Sequence, residues 1–170
     1  LTHDGTDFDW AAAGGGGITE ADQWRLTASL SLDAAAAITA NWERDDQGSF
    51  DLLGTGMSES SGVFTFPSTG FWLIQGTSSH YKTGGYDYLT KKLYTTVDNS
   101  NYSTANASTQ GGSTSNAGYA SSSFNHIFDV ESTANCKCRL NIEVSTTGMG
   151  IMGDSNFGWT WLSFIRLGDT

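Results

Sequence analysis

The sequence predicts an all-β domain, a β-sandwich or jelly roll of about eight to ten antiparallel strands. Short runs of alternating apolar and polar residues are separated by clusters of Gly, Ser, Asn and Asp. Helical periodicity is almost absent, although residues 18–24 are long enough for one helical turn with Thr19 as its N-cap. The 170 residues are 38% hydrophobic and include six Trp, six Tyr and nine Phe, so we expect one domain with a substantial core.

The first half of the chain contains five predicted strands. Residues 24–32 (WRLTASLSL) alternate apolar and polar side chains, as a strand with one buried face does. Residues 37–43 end at an acidic turn, and the short run 50–53 ends at a glycine turn. Residues 63–66 and 70–77 are separated by a turn that contains Pro, and the second of these runs is the most apolar in the chain. Each run is therefore bounded by residues that favour turns.

The second half contains five more predicted strands. They are residues 86–97, 102–107, 119–130, 136–144 and 159–167. The Ser/Thr/Asn/Gly-rich stretch 104–123 is either a long exposed loop or a polar edge strand with a loop. Residues 148–153 (GMGIMG) match the letters of the dinucleotide-binding fingerprint but lack its strand–helix context. We interpret them as a glycine-rich loop between the last two strands.

Charge excludes several classes of partner. The chain has 18 acidic and 8 basic residues, a formal net charge of −10, and no basic cluster longer than Lys91-Lys92. This composition argues against nucleic-acid binding and against anionic lipid surfaces. With no run of 18 apolar residues, membrane insertion is not expected. Residues 1–17 end in four glycines and are interpreted as the end of an upstream module with a hinge, followed by the β domain at 18–170.

Residues suited to catalysis or metal binding are sparse. Cys136 and Cys138 are two apart and have no second pair of ligands for zinc, so we expect them to pack as small hydrophobic side chains. A set formed by Ser79, His80 and Asp87 has no diagnostic spacing for a hydrolase. We therefore predict no enzyme, no cofactor and no metal site, while the acidic turn at 45–46 is the one candidate for a surface calcium ion.

Tyrosines near polar, glycine-rich loops are the better candidates for binding. A tyrosine ring gives a rigid, amphipathic contact at low entropic cost. The predicted receptor contacts are Tyr86, Tyr102 and Tyr119. The alternative is that these rings cap the core of the sandwich.

The segment 63–74 (VFTFPSTGFWLI) resembles a hairpin of the tumour-necrosis-factor-like and complement globular-head jelly rolls. In that family an apolar strand meets Pro, a short turn, Gly and an aromatic–aliphatic strand. Here these are Phe66, Pro67, residues 68–69, Gly70 and residues 71–74. The other predicted strands fall in the family's order, and the resemblance covers residues 24–169. It implies a tumour-necrosis-factor-like jelly roll that assembles as a homotrimer.

Strand alternation and this resemblance together sort side chains between the core and the trimer interface. Successive residues of a strand point to opposite faces. The resemblance places Trp72, Ile74, Leu162 and Phe164 in the core. The candidates for the trimer interface are Phe71, Leu73, Gln75, Trp161, Ser163 and Ile165.

A second resemblance concerns the virion. Residues 1–11 (LTHDGTDFDWA) are similar to DGT-containing modules of fibre and neck proteins of tailed bacteriophages, and residues 18–29, 53–74 and 160–169 are similar to structural proteins of phages of aquatic bacteria. This implies a non-enzymatic, trimeric head domain of a tail or capsid fibre on the outer surface of the virion. Its expected partners are a bacterial surface glycan or protein and, through the N-terminal segment, other virion proteins.

Three alternatives stay open. One is a capsid or neck decoration protein that stabilises the virion. Another is a secreted complement-like lectin or receptor ligand, against which the lack of the animal family's cysteine pattern and collagen stalk counts. A depolymerase that acts on surface polysaccharide is the third, because one fold hosts many functions.

Overall fold

The regular secondary structure of the described residues consists of β-strands, with no helix among them. The computed structural model describes residues 2–3, 8–9, 17–113 and 115–170. The strands are β1 (Thr2–His3), β2 (Phe8–Asp9), β3 (Ala21–Leu26), β4 (Ala28–Leu32), β5 (Ala36–Ala37), β6 (Trp42–Arg44), β7 (Ser58–Ser60), β8 (Val63–Thr65), β9 (Gly70–Lys82), β10 (Tyr88–Thr96), β11 (Ser103–Gly111), β12 (Gly118–Val130), β13 (Lys137–Val144), β14 (Met149–Asp154) and β15 (Trp161–Gly168). The predicted all-β class is confirmed.

Two antiparallel sheets form the sandwich. The six-stranded sheet has the order β11-β10-β13-β8-β7, and β5 also pairs with β13. In the seven-stranded sheet the order is β4-β14-β9-β15-β3-β6, and β12 also pairs with β9. Strand β9 is paired with β12 along all 13 of its residues and pairs in addition with β15 and then β14. β9 is therefore the strand on which the seven-stranded sheet is built.

The core lies between the two sheets and is rich in aromatic rings. Trp72, Ile74, Leu162 and Phe164 are all fully buried, which confirms the alternation predicted for β9 and β15. Phe64 of the six-stranded sheet is also fully buried, and its ring centroid lies 5.2 Å from that of Phe164. Edge-on contacts with two tryptophans complete the cluster, Trp24 at 5.6 Å and Trp42 at 5.3 Å from Phe64.

The turn between β8 and β9 has the form that the sequence suggested. Gly70 adopts φ 131°, a value that side-chain-bearing residues rarely take. A Cβ at Gly70 would overlap the carbonyl oxygen of Gly168, so β15 closes against this glycine. The Trp72 indole N–H donates to the carbonyl oxygen of Ser68 at 3.2 Å, which ties the turn to the strand that follows.

Four predictions of secondary structure were wrong. Residues 18–24 form no helical turn, because from Ala21 onwards the chain pairs with β15 as β3. The predicted strand 50–53 contributes a single bridge, Leu53 with Ala21. The run 37–43 is divided between β5 and β6, which lie in different sheets. Residues 148–153 are not a loop, since most of them form β14.

The glycines of β14 explain why its sequence looks like a loop. A Cβ at Gly153 would lie 2.5 Å from the carbonyl oxygen of Ala28, and one at Gly150 would lie 3.1 Å from that of Tyr81. The neighbouring backbone thus approaches Gly153 too closely for a side chain, and at Gly150 a side chain would need the neighbour to shift by a few tenths of an ångström. Glycine is here a packing requirement of a strand and not the mark of a loop.

Candidate interaction face

The outward-pointing side chains of β3, β15, β9 and β12 form one continuous surface, named here the outward face. All six predicted interface residues lie on it. Pairing aligns Ile165 with Leu73, and Ser163 with Gln75. Trp161 lies opposite Thr77, two residues further along the strands. The remaining candidate, Phe71, lies near the beginning of β9 and is 39% exposed. The structure therefore brings the six side chains together on the side of the sheet away from the core.

Three rows of residues cross the outward face. The first is mainly apolar, the second carries amides and a hydroxyl, and the third combines an indole with hydroxyls. From β3 to β12 they are Ala21, Ile165, Leu73 and Ile127; Gln23, Ser163, Gln75 and Asn125; and Arg25, Trp161, Thr77 and Ser123. Ile127 on the edge strand β12 is 59% exposed.

Charge is nearly absent from the part of this face that β9, β12 and β15 form. Among the outward-pointing residues of β9, β12 and β15, Asp129 is the one charged group. Arg25 of β3 is buried at 1% exposure, and its guanidinium donates to the carboxylates of Glu43, Asp45 and Asp46. These hydrogen bonds and ion pairs raise the pKa of Arg25 against the opposing effect of burial. The cation is thus paired within the protomer, and three carboxylates around one guanidinium leave a net negative charge at the β3 edge of the outward face.

One end of the outward face is aromatic. The Tyr81 and Tyr119 rings are stacked with centroids 4.9 Å apart, and the Phe157 and Trp159 rings meet edge-on at 5.3 Å. Between them lies an open cavity of about 560 Å³. Its lining residues are Ser79, Tyr119, Ala120, Ser121, Met152 and Trp159.

The three tyrosines predicted to contact a receptor do not form one site. Tyr119 is 72% exposed and belongs to the outward face. Half-buried Tyr102 lies beside the six-stranded sheet, with the Arg139 guanidinium 4.1 Å from its ring centroid. The prediction that Tyr86 is an exposed contact residue is wrong: its side chain is 5% exposed, and burial raises its pKa. Its hydroxyl hydrogen-bonds the His80 Nε2 at 3.0 Å, because the segment before β10 folds back onto the core.

Sequence reasoning missed a polar cluster inside the sandwich. Lys91 and His80 are both fully buried, and the Lys91 ammonium donates to the carbonyl oxygen of Ser122. The position of Lys91 could have revealed the cluster, because Lys91 lies between Leu89 and Leu93 on the inward side of β10. An inward lysine between two buried leucines is unusual, because a buried cation is costly without a partner.

The groups considered for catalysis are not arranged for it. Ser79 and His80 are neighbours on β9, so their side chains point to opposite faces of the sheet. Cys136 and Cys138 are free and buried, as expected, and burial raises the pKa of the Cys138 thiol. The Asp45 and Asp46 carboxylates, once candidates for calcium, accept from Arg25.

Within the described ranges the side chains form no candidate metal site and no helix suited to a membrane. No cluster of three or more His, Cys, Asp or Glu side chains within them is placed to hold a metal ion. In the same part of the chain, no helix has the length and apolar character needed to cross a membrane.

The antiparallel sandwich has the fold of tumour-necrosis-factor-like jelly rolls. Among solved structures, murine APRIL at pH 8.5 is similar with a TM-score of 0.63 and 12% identity, covering 87% of this chain and 98% of that one. Eiger TNF from S. frugiperda is similar with a TM-score of 0.58 and 13% identity, covering 90% and 95%. No protein-family model matches the chain, and no curated protein does. The likeness confirms the fold predicted from residues 63–74, and at this identity it extends to the fold alone.

Proposed function

We propose that the protein is the trimeric head domain of a bacteriophage tail or capsid fibre, which attaches the virion to a bacterial surface. The observation that carries the assembly part of the proposal is the low charge of the outward face on β9, β12 and β15, in a chain of net charge −10. Interface cores are depleted of charged residues, and copies of one acidic chain repel each other wherever their carboxylates meet. The outward face is where copies can approach with the smallest electrostatic cost.

The apolar row of this face supports burial against another copy. Ile127 and Phe71 are 59% and 39% exposed. Half-buried Leu73 pairs with Ile127, and half-buried Ile165 follows on the other side of Leu73. Contiguous exposed apolar side chains on a folded domain mark interaction sites. The resemblance to tumour-necrosis-factor-like domains implies that three copies share this face around one axis.

Attachment and the virion location rest on the sequence resemblance to phage fibre modules. The residues that carry its DGT motif fall in 1–17, most of which lies outside the described residues. In a trimer held through the outward faces, the six-stranded sheet faces solvent, so Tyr102 and the polar strand β11 are free to meet a glycan or protein. Three such surfaces on one fibre convert weak contacts into firm attachment. The proposed role is non-enzymatic and needs no cofactor.

Two measurements test the proposal. Light scattering after gel filtration at micromolar concentration is expected to give three times the 18.1 kDa of the chain, and a monomer would overturn the assembly. Fluorescently labelled protein is then mixed with a panel of aquatic bacteria. Binding to the cells of particular strains is expected, whereas binding to capsid shells and to no cells would replace the fibre head by a decoration protein.

A further inference from the structure

Two side chains of the six-stranded sheet hydrogen-bond the backbone of β12, and these two contacts are named here the seam. β12 has one neighbour in its own sheet, β9. From β10, the Lys91 Nζ donates to the carbonyl oxygen of Ser122, and from β11 the Asn106 amide donates to that of Asn125 at 2.9 Å. These two hydrogen bonds join the backbone of β12 to the six-stranded sheet.

The Lys91 side-chain nitrogen in the seam has no anionic partner. Lys91 is fully buried, and among the described residues no carboxylate forms an ion pair or hydrogen bond with it. Glu143 on β13 points outward and pairs with Lys92. Asp129 of β12 points to the outward face. The charge on Lys91 is therefore offset only by dipoles.

The other titratable groups on the packed elements also lack negative charge. They are His80 on β9, Tyr86 before β10, His126 on the inward side of β12 and Cys138 on β13. His80 is fully buried; its Nε2 bonds the Tyr86 hydroxyl, and its Nδ1 has no partner among the described residues. The hydroxyls of Ser78 and Ser122 are likewise unpartnered there. The interior at the seam is thus polar, incompletely hydrogen-bonded and free of acids.

We propose that the seam is an acid-responsive element: protons added to Lys91 and His80 place positive charge in the core and loosen β12 from the six-stranded sheet. This goes beyond the proposed function, since it concerns a single protomer. Strand β12 also carries Tyr119 and Ile127 of the outward face, so its loosening would be transmitted to that surface.

The direction of the effect follows from proton binding. Burial lowers the pKa of Lys91 from 10.5 to about 7, and burial with the charge of Lys91 lowers the pKa of His80 from 6.5 to about 4. Between these limits the unfolded chain holds more protons than the folded one, so folding stability falls as the pH is lowered. The loss due to Lys91 occurs between about pH 10 and pH 7, and that due to His80 between about pH 6.5 and pH 4.

Replacement of the lysine tests the proposal. Urea unfolding is measured from pH 7 to pH 10 for the wild type, Lys91→Met and the control Lys92→Met, which removes the outward-facing neighbour. Relative to Lys91→Met, the unfolding equilibrium constant of the wild type is expected to rise roughly several-hundredfold on going from pH 10 to pH 7. Lys92→Met should behave as the wild type does. Equal pH dependence in wild type and Lys91→Met would overturn the proposal.

Two measurements on the wild type keep the proposal testable if Lys91→Met does not fold. An NMR titration of the His80 ring is expected to show a midpoint near 4, and a midpoint at the ordinary 6.5 would refute a buried cationic seam. Hydrogen-exchange protection of β12 amides should fall before that of β15 amides as the pH is lowered from 7 to 5. Simultaneous loss in both strands would show global unfolding and contradict a local element.

Discussion

Substitution of Ile127 by Asp separates assembly from folding. Ile127 is 59% exposed on the outward face, so the substituted side chain can stay in water in the free protomer. Val97 gives a matched control, because it is also aliphatic and 67% exposed but lies in the turn after β10. We expect Ile127→Asp to be a folded monomer and Val97→Asp to remain a trimer.

The size of the effect follows from exposure and charge. At exposed positions such as these, a substitution changes the free energy of unfolding by about 0.5 kcal/mol or less. In a trimer each copy would bury one carboxylate without a partner, which costs about 3 kcal/mol per ion at the low end. Three such ions cost roughly 9 kcal/mol per trimer, and at about 1.4 kcal/mol per tenfold the dissociation constant rises by roughly a million-fold.

Sedimentation velocity at protein concentrations from about 0.1 to about 50 μM checks this prediction. Circular dichroism of the same samples tests whether the variants are folded. The expected result is a native spectrum for both variants and a small sedimentation coefficient for Ile127→Asp alone. If Ile127→Asp sediments as a trimer, the outward face is not the assembly surface. If Val97→Asp dissociates too, added negative charge in general, and not burial at this face, controls assembly.

Three further substitutions test how the protomer is stabilised, each by urea unfolding against the wild type. Phe64→Ala removes the centre of the aromatic cluster and should cost about 3–5 kcal/mol; a loss below about 1 kcal/mol would mean that the cluster collapses to fill the space. Asp22→Ala should cost about 3 kcal/mol or more, because buried Asp22 accepts from the Met57 amide at 2.7 Å and from Arg44, with Asp22→Asn expected to retain part of this. Gly62→Ala should cost more than about 1–2 kcal/mol, since φ is 79° and a Cβ would overlap the Ile38 carbonyl oxygen; a neutral effect would show that the turn readjusts.

The strands of the fold, and the faces to which the side chains of β9 and β15 point, could be predicted because strand periodicity is local. A period of two residues assigns Leu73 and Ile165 to one face and Trp72 and Phe164 to the other without knowledge of their partners, and the structure has them so. The turn before β9 could be predicted from Gly70, because the positive φ that this turn requires favours glycine.

What could not be predicted depends on contacts that lie outside the residue pattern of any single strand. Tyr86 is preceded by two glycines and looks exposed, yet its hydroxyl reaches His80 across the end of the sandwich. Strand β14 pairs with β4, more than a hundred residues earlier, and Gly153 leaves the space that the Ala28 backbone of β4 occupies. Lys91 occupies a core position because its long side chain crosses to β12, which a single-strand pattern does not reveal.

The pairing of β3 with β15 determines how the domain would carry mechanical load. Ala21 at the start of β3 lies opposite Ile165 near the end of β15, so the chain enters and leaves the sandwich at one end. The stacked Tyr81 and Tyr119 lie at the other end. Tension between the two chain ends would peel β3 from β15 one residue pair at a time. Tension between the entering chain and the tyrosine end runs along the strands instead, where the hydrogen bonds of a ladder resist shear together.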